Sequence, residues 1–430
     1  MKKIFFLLIM FYLLSCSIEA QIPVPEKGCY HAAFTGNDTH NQFVALAKKD
    51  IAVEMFFTGW PSNKIPDFPL TKCNDIVSHG SIPHITWMIY TSGTTYPLDA
   101  VINGSYDGYI NGYADEVKNW GKPLFIRLGH EFNGDWYPYG GANNGGSTKT
   151  GFGDPDKADG PERFIAAYKH VVDLFRAEGA TNVTWIWCPN NGSSPNEAWN
   201  APENYYPGDD YVDWIGLDGY NFGLSQTWSA WVDFWNVYNS IYQKFQNYNK
   251  PMMIAEFASV ELGGNKSEWI RQAYTVNLKY SFPKIKAVTW FHTRKNEGVV
   301  DTDWRINSSA SSLSAYQNAI ADPYYLSSIA TDVKKNDPDL PIECKLEQNY
   351  PNPFNPSTEI TYSIPKPGRI SLKIYDLFGR EVCTLLDEYQ QPGTYRVQFS
   401  NSNPNLSSGV YLYTLRTPTF TTSKKMVLLK

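Results

Sequence analysis

The apolar positions of this chain fall into two rhythms. Between residue 28 and about residue 325, eight short apolar runs recur: GCYHAAF, DIAVEMFF, SIPHITWMIY, KPLFIRLGHE, NVTWIWCP, VDWIGLDGY, KPMMIAEFA and KAVTWFHT. Each has the length and residue types of a β-strand. Most are separated by segments with helical spacing. The clearest is PERFIAAYKHVVDLFRAEG, which places Phe164, Tyr168, Val171, Val172 and Phe175 on one face, with Pro161 at its start and Gly179 at its end. WSAWVDFWNVYNSIYQKFQNYN and KSEWIRQAYTVNLKYSF are two more, whereas the fifth-to-sixth connection, GSSPNEAWNAPENYYPGDDY, is weakly helical. Eight strands alternating with helices predict an α/β fold, a (β/α)8 TIM barrel. A doubly wound open sheet would carry a Gly-rich phosphate loop after its first strand. GCYHAAFTGND lacks the G-x-G-x-x-G spacing, so the barrel is preferred.

The second rhythm begins after LSSIATDVKKNDPDLPIECK, a polar, Pro-containing linker. Short alternating strands follow, EITYSIP, RISLKIYDLFG, GTYRVQFS, GVYLYTLR and KKMVLLK, broken by Pro, Gly and Asn turns. They predict a small all-β sandwich. The expected organisation is a leader at 1–20, the barrel at 21–325, a linker at 326–343 and the β-sandwich at 344–430. The leader reading rests on two lysines followed by an apolar run, MKKIFFLLIMFYLLSCSIEA, with cleavage expected after Ala20. Leu13-Leu14-Ser15-Cys16 faintly resembles a lipoprotein box, which Leu14 fits poorly.

Composition narrows the function classes. A net charge of −6 without a long basic run gives no nucleic-acid surface. Aromatic residues make up 15% of the chain, with 14 Trp, all between positions 60 and 304. Some of these rings fill the core. Others suit a groove for sugars, whose apolar C–H faces stack on aromatics. Six cysteines stand at 16, 29, 73, 188, 344 and 383, with no C-x-x-C pair. Export permits a Cys29–Cys73 bridge, and free buried thiols are the other reading.

In a barrel, chemistry sits where strands end. Those ends carry His130 and Glu131 on strand four, Asp218 and Tyr220 on strand six, Glu256 on strand seven, and Trp290 with His292 on strand eight. A glutamate ending an apolar run is costly unless it is partnered or used. One such residue is ordinarily a salt-bridged group; two in an aromatic-rich barrel suggest the acid and nucleophile, or acid and base, of glycoside hydrolysis. Arg127 and Tyr220 are placed to keep one carboxylate charged, and that charge would raise the pKa of the other. HEFNG is not the H-E-x-x-H of a zinc enzyme, and no G-x-S-x-G is present, so neither a metal, another cofactor nor a serine nucleophile is expected.

RLGHEFNGDW, YYPGDDYVDWIGLDGYN, MMIAEFAS and DWRINSSASSL together resemble glycoside hydrolase family 26, over roughly residues 28 to 325. The resemblance implies a retaining mechanism with Glu131 as acid/base and Glu256 as nucleophile. It implies that His130 steadies Glu131, that Arg127 lies beneath the site, and that Tyr220 touches the nucleophile. Trp136 and Trp290 would be sugar-stacking walls, and Asn133 would bond a sugar hydroxyl or the loop. Asp218 is grouped with these as a supporting residue. The family's main activity is endo-hydrolysis of β-1,4-mannan, which makes mannan or glucomannan the expected substrate. Arg127 is followed by Leu128-Gly129 and the later text reads Asp135-Trp136-Tyr137-Pro138-Tyr139, wording closer to the family's glucan-cutting branch. A barrel that binds polysaccharide without cutting it is the reading from another class, although both glutamates are present. The tail, with LEQNYPNPFNPSTEITYSIP, IYDLFGREV, GTYRVQF, SSGVYLYTL and KKMVLLK, resembles the C-terminal sorting domain of the type IX secretion system. That implies the secretion machinery as a partner, with the product released from, or held on, a Gram-negative cell; a monomer is expected.

Overall fold

The structure is a computed structural model that describes residues 22–91, 94–296, 301–329, 343–365, 368–390, 393–400, 406–418 and 420–429. The leader at 1–20, and within the expected linker residues 330–342, lie outside the described residues. The chain divides into two compact units, Met1–Thr331 and Asp332–Lys430.

In the first unit, each of the eight apolar runs is a strand: β1 Cys29–Phe34, β2 Val53–Gly59, β3 Ile82–Met88, β4 Leu124–Leu128, β5 Val183–Trp187, β6 Trp214–Asn221, β7 Met252–Ser259 and β8 Ile285–Phe291. Neighbours pair in parallel, and β8 returns to β1 from Tyr30↔Ala287 to Phe34↔Phe291, closing the ring. Around it lie α1 His40–Ala47, α2 Leu70–Ser78, α3 Asp107–Trp120, α4 Asp159–Glu178, α5 Phe234–Phe245, α6 Lys266–Gln272 and α7 Ala310–Ile320. Helix α4 buries the expected Phe164, Tyr168, Val171, Val172 and Phe175, and ends at Gly179 with φ 79°. Helix α5 is shorter than its apolar text, because the Asp233 side chain accepts from the Asn236 amide at 2.8 Å and sets the start there. Between β5 and β6 stand only 3-10 turns, Ala198–Asn200, Pro202–Tyr205 and Asp209–Tyr211. Pro195, Pro202 and Pro207 interrupt any longer helix. Tyr205 and Tyr206 cover the outer face of β5 in its place, with the Trp187 indole donating to the Tyr205 carbonyl at 3.0 Å.

Strand alternation divides the side chains between two cores. On β4, Leu124, Ile126 and Leu128 join the layer under the helices, while Phe125 packs inside the ring. Arg127 shares the inward parity of Phe125. Strand β7 departs from this rule at one point. Met252 and Ile254 face the helices; Met253 and Ala255 face inward. Against β6 the register steps from Leu217↔Ile254 to Asp218↔Glu256, and against β8 from Val288↔Ile254 to Trp290↔Phe257. The strand therefore carries one extra residue, a β-bulge, relative to both neighbours. After the bulge Phe257 lies in the helix layer and Glu256 turns inward beside Ala255. Strict alternation would have buried the Glu256 carboxylate among apolar helix residues.

In the second unit β9 Lys345–Leu346, β10 Ser357–Ile364 and β13 Gly393–Ser400 form one antiparallel sheet. The other contains β11 Gly368–Tyr375, β12 Glu381–Gln390, β14 Gly409–Arg416 and β15 Thr421–Leu428. Ile360 and Tyr362 from the first sheet and Leu372, Tyr413 and Leu415 from the second share one apolar core, the all-β sandwich that the alternating tail predicts.

The barrel interior leaves no slack at Gly216 on β6. A Cβ there would stand 2.8 Å from Cys188 Sγ and 2.9 Å from Cys188 Cβ and the Ile186 side chain. Gly216→Ala is expected to destabilise the barrel by about 1–3 kcal/mol through overpacking. Urea unfolding should show only partial recovery of that loss in the Gly216→Ala/Cys188→Ala double variant, which removes the Sγ contact but leaves the Cys188 Cβ and the Ile186 side chain in place.

Candidate active site

The end of β4 is where the chain turns into the site. Gly129 follows with φ 55°, and a Cβ on it would meet Phe164 at 3.2 Å. Two residues later Glu131 also adopts φ 55°, a left-handed conformation that costs a non-glycine residue on the order of 1 kcal/mol or more. Neighbouring bonds hold it there: its amide donates to the Cys188 carbonyl at 2.8 Å, and its carbonyl accepts from the Gly134 amide at 2.9 Å. The side chain is equally fixed. Asn190 Nδ2 donates to Oε1 at 2.7 Å, and the Trp136 indole donates to Oε2 at 2.8 Å.

Glu256 faces it from β7. Its Oε1 accepts from Arg127 and its Oε2 from the Tyr220 hydroxyl. Arg127 lies beneath, wholly buried. Its Nη1 donates to both Asp218 oxygens at 2.7 and 2.8 Å, and its Nε and Nη2 donate to Thr86 Oγ1 at 3.0 and 2.7 Å. Burial works against the guanidinium charge, but Asp218 and Glu256, then Cys188, outweigh it and raise the Arg127 pKa above its usual value. Burial also pushes the Asp218 carboxyl up, and Arg127 pulls it down. With the guanidinium donating to both of its oxygens, Asp218 meets Arg127 as an acceptor.

Glu131 is the titrating member. Burial, and then the nearby charge of Glu256, raise its pKa from 4.5 to about 7, against the hydrogen bonds from Asn190 and Trp136 and the charge of Arg127. Glu131 therefore holds a proton up to near-neutral pH, while Glu256 accepts bonds on both oxygens.

Seven of the nine residues singled out from the sequence sit at or beneath this cavity: Glu131, Glu256, Arg127, His130, Trp136, Asp218 and Tyr220. His130 does so differently from the expectation. Its Nε2 is 3.9 Å from Glu256 Oε1, its Nδ1 is 3.3 Å from the Tyr139 hydroxyl, and its ring stands 4.8 Å from that of Tyr137. Asn190 and Trp136, not His130, hold Glu131. Burial and then Arg127 push the His130 pKa well down, so the ring is neutral. Asn133 is 1% exposed and bonds only the loop. Its Nδ2 donates to the Asn190 carbonyl and Ser193 Oγ, both at 3.1 Å, and its Oδ1 accepts from the Asn190 amide at 2.9 Å.

Trp290 is a correction. It is fully buried in the helix layer, its ring 5.0 Å from Phe257 and 5.3 Å from Tyr316, and its indole donates to the Trp304 carbonyl at 2.9 Å. It has the parity of Val288, which also faces the helices. The next residue, Phe291, reaches the cavity instead.

That cavity has a volume of about 1010 Å³. Glu131 and Glu256 line it with an aromatic wall of Trp136, Phe222, Trp228, Phe291 and Trp304 and a polar loop of Asn190 to Ser194. Sequence reasoning missed Asn190, Phe291 and Trp304. Strand parity would have found Phe291, and Trp304 stands inside the DWRINSSASSL motif; nothing local marks Asn190.

His130, Asp218 and Glu256 bring ligand atoms within 4.8 Å of one another. The Arg127 guanidinium donates to both carboxylates, so that cluster already has its cation. The cysteines at 29, 73, 188, 344 and 383 are free thiols, the first three buried.

Comparison with known proteins adds a family. Residues 75–241 match the model of Glycosyl hydrolase family 26. The chain carries a family 26 glycosyl hydrolase domain. Residues 348–429 match the model of a Secretion system C-terminal sorting domain. Endoglucanase H of Acetivibrio thermocellus is 41% identical over 284 residues, 65% of this chain and 28% of that protein. A mannan endo-1,4-beta-mannosidase of Bacillus subtilis is 24% identical over 231 residues, 52% of this chain and 53% of the relative. The beta-1,3-xylanase TXYA of a Vibrio species is 26% identical over 162 residues, 36% of this chain and 28% of the relative. The chain thus spans about a quarter to a half of the length of these relatives. The modular endo-beta-1,4-mannanase of Cellulomonas fimi shares the fold, with a TM-score of 0.51 and 16% identity over 93% of this chain and 94% of that one.

Two measurements test this family 26 site. The raised Glu131 pKa means that folding favours the protonated form. Below pH 4.5 both states are protonated and nothing is lost; as pH rises to about 7 the unfolded state ionises first, and the native state loses up to about 3 kcal/mol relative to it. The stability of Glu131→Gln relative to wild type should therefore improve between pH 4.5 and 7 and level off above. A difference independent of pH would place the Glu131 pKa in the ordinary range. Separately, Trp290→Ala should cost about 3–5 kcal/mol in urea unfolding, whereas Trp136→Ala should cost less than about 1 kcal/mol.

Proposed function

We propose that the protein is an exported retaining endo-β-glycanase that hydrolyses a β-linked polysaccharide by double displacement. The observation that carries the reading is the split between two glutamates on one cavity: one is buried and shifted to about 7, the other is engaged by a guanidinium and a phenol. Glu131 gives its proton to the departing glycosidic oxygen while a Glu256 oxygen attacks the anomeric carbon, forming a glycosyl-enzyme. Arg127 and Tyr220 hold the attacking carboxylate in place. Glu131, now ionised, takes a proton from the water that attacks the same carbon. Glu256 leaves, and two inversions give net retention. Trp136, bonded to Glu131, offers its ring at the point where the bond breaks.

Among β-glycans we favour a β-glucan backbone. The support is the 41% identity to Endoglucanase H over 284 residues and the wording around Asp135-Trp136-Tyr137. Mannan or glucomannan, expected from the family's main activity, is the second reading, favoured by the mannosidase relative. The sorting domain supports delivery through the type IX secretion system to the outside of the cell or its surface.

Reducing-sugar release by the full chain from barley mixed-linkage glucan, galactomannan, konjac glucomannan and β-1,3-xylan separates these readings. Hydrolysis of barley glucan and not galactomannan is expected; the reverse would establish a mannanase. Glu256→Ala should lower kcat by about 10⁴-fold or more. Binding of these polysaccharides without cleavage by wild type would make the barrel a binding module.

A further inference from the structure

A lysine without access to water stands behind the cavity wall. Lys266 opens helix α6 and is wholly buried. Both facts work against it: burial penalises the ammonium, and a cation at a helix N-terminus opposes the dipole. Its partners show what it does there. An ammonium has three N–H donors. Lys266 Nζ donates to the Arg305 carbonyl at 2.7 Å, to Ser308 Oγ at 2.8 Å and to the Asp303 carbonyl at 3.3 Å. The counter-charge is Glu261, one hydroxyl away: Ser308 Oγ and Ser312 Oγ both donate to its Oε1 at 2.7 Å. Burial works against that carboxylate, but the bonds from Ser312 and Ser308 outweigh it and hold its pKa below the usual value. Burial pushes Lys266 down to about 7; Glu261 and then Asp303 oppose this, and Arg305 adds to it.

The two carbonyls that Lys266 grips flank Trp304. That residue is pinned directly as well: its carbonyl accepts from the Trp290 indole at 2.9 Å, and its amide donates to the Thr293 carbonyl at 2.9 Å. The Trp304 ring stands 5.0 Å from that of Tyr220 and 4.9 Å from that of Phe222. The Tyr220 hydroxyl in turn donates to Glu256. A line of contacts thus runs from a buried cation on α6, through the chain on either side of Trp304, to the carboxylate at the cavity. Ser308 and Ser312, the serines of DWRINSSASSL that bond Glu261, complete the grip from the start of α7. Resting on the reading of Glu256 as nucleophile, we propose that Lys266 is a positioning residue for hydrolysis: it clamps the chain on both sides of Trp304, and through that ring keeps Tyr220 aligned on Glu256.

The test is a double-variant cycle on kcat and KM, with the full chain and the polysaccharide that the polymer assay selects. Lys266→Met keeps an apolar stem beside Trp290 and removes the donors. It should lower kcat by about 10- to 100-fold and raise KM by less than about 3-fold. In a Tyr220→Phe background, which has no hydroxyl left to align, the same substitution should change kcat by less than about 3-fold. Equal losses in both backgrounds would make Lys266 a merely structural residue and overturn the inference, while leaving the hydrolase reading intact. Glu261→Gln decides the matter where Lys266→Met does not fold. It keeps an acceptor for both serines and removes the charge that sustains the ammonium. The charges acting on Glu131 are those of Glu256 and Arg127, so a shift of the alkaline limb of kcat/KM in this variant reports on Lys266. Lys266 then loses its proton at lower pH, and the limb should move down by about 0.5 in pH or more; an unmoved limb would overturn the inference. Absence of hydrolysis by the wild type on every polymer would overturn the hydrolase reading and the inference with it.

Discussion

A guanidinium without access to water sets the terms for the rest of the site. Arg127 stands inside the ring, where an unpaired charge would cost several kcal/mol. Three neighbouring elements meet that demand: β3 gives Thr86, β6 gives Asp218, and β7 gives Glu256. The reciprocal consequence concerns Glu256. Its orientation is part of a buried ion network, and breaking such a network by removing one partner typically costs about 3–5 kcal/mol. The orientation of Glu256 and the stability of the barrel around Arg127 are therefore one problem. The β7 bulge is its backbone solution, since an extra residue lets the strand remain apolar towards the helices and still bring a carboxylate to Arg127.

The two glutamates differ because their surroundings do. Glu256 has a cation and a hydroxyl. Glu131 has two neutral N–H donors and a position beside the Glu256 charge. Burial and then the neighbouring Glu256 charge raise the Glu131 pKa, so Glu131 keeps its proton to near-neutral pH. The left-handed turn at Glu131 belongs to the same design. Backbone bonds to Cys188 and Gly134, together with the bonds from Asn190 and Trp136, over-determine a conformation that the residue would not choose alone.

Much of this was legible in the chain and some was not, for identifiable reasons. The eight strands could be read because each is a short apolar run, and helix α4 because its five core residues share one face. Arg127, Asp218 and Tyr220 could be placed at strand ends by position. Parity was the missing step for strand eight: Trp290 follows Val288 into the helix layer, and Phe291 faces the cavity. Parity would also have misled for Glu256, because nothing in MMIAEFAS announces an extra residue between Ile254 and Phe257. Asn133 and Asn190 lie on loops, where no periodicity exists to say whether an amide faces a ligand or its own backbone. Asn133 is spent on the loop, and Asn190 reaches Glu131.

The choice between glucan and mannan rests on a different scale from the mechanism. In the proposed mechanism the glutamates, Arg127 and Tyr220 act at the anomeric carbon, which both backbones present in the same way. The backbones differ at C2, in the direction of one hydroxyl, so discrimination requires a polar group fixed near that position and left unpaired by the wrong epimer. The cavity divides its chemistry accordingly. The aromatic wall of Phe222, Phe291 and Trp304 would grip the ring faces of the proposed substrate with little regard for hydroxyl direction, while the loop from Asn190 to Ser194 lines the polar edge. Asn133 bonds Asn190, Gly192 and Ser193 from beneath. A residue buried beneath the loop thus ties down the polar edge of the cavity, on which the proposed discrimination between epimers would depend.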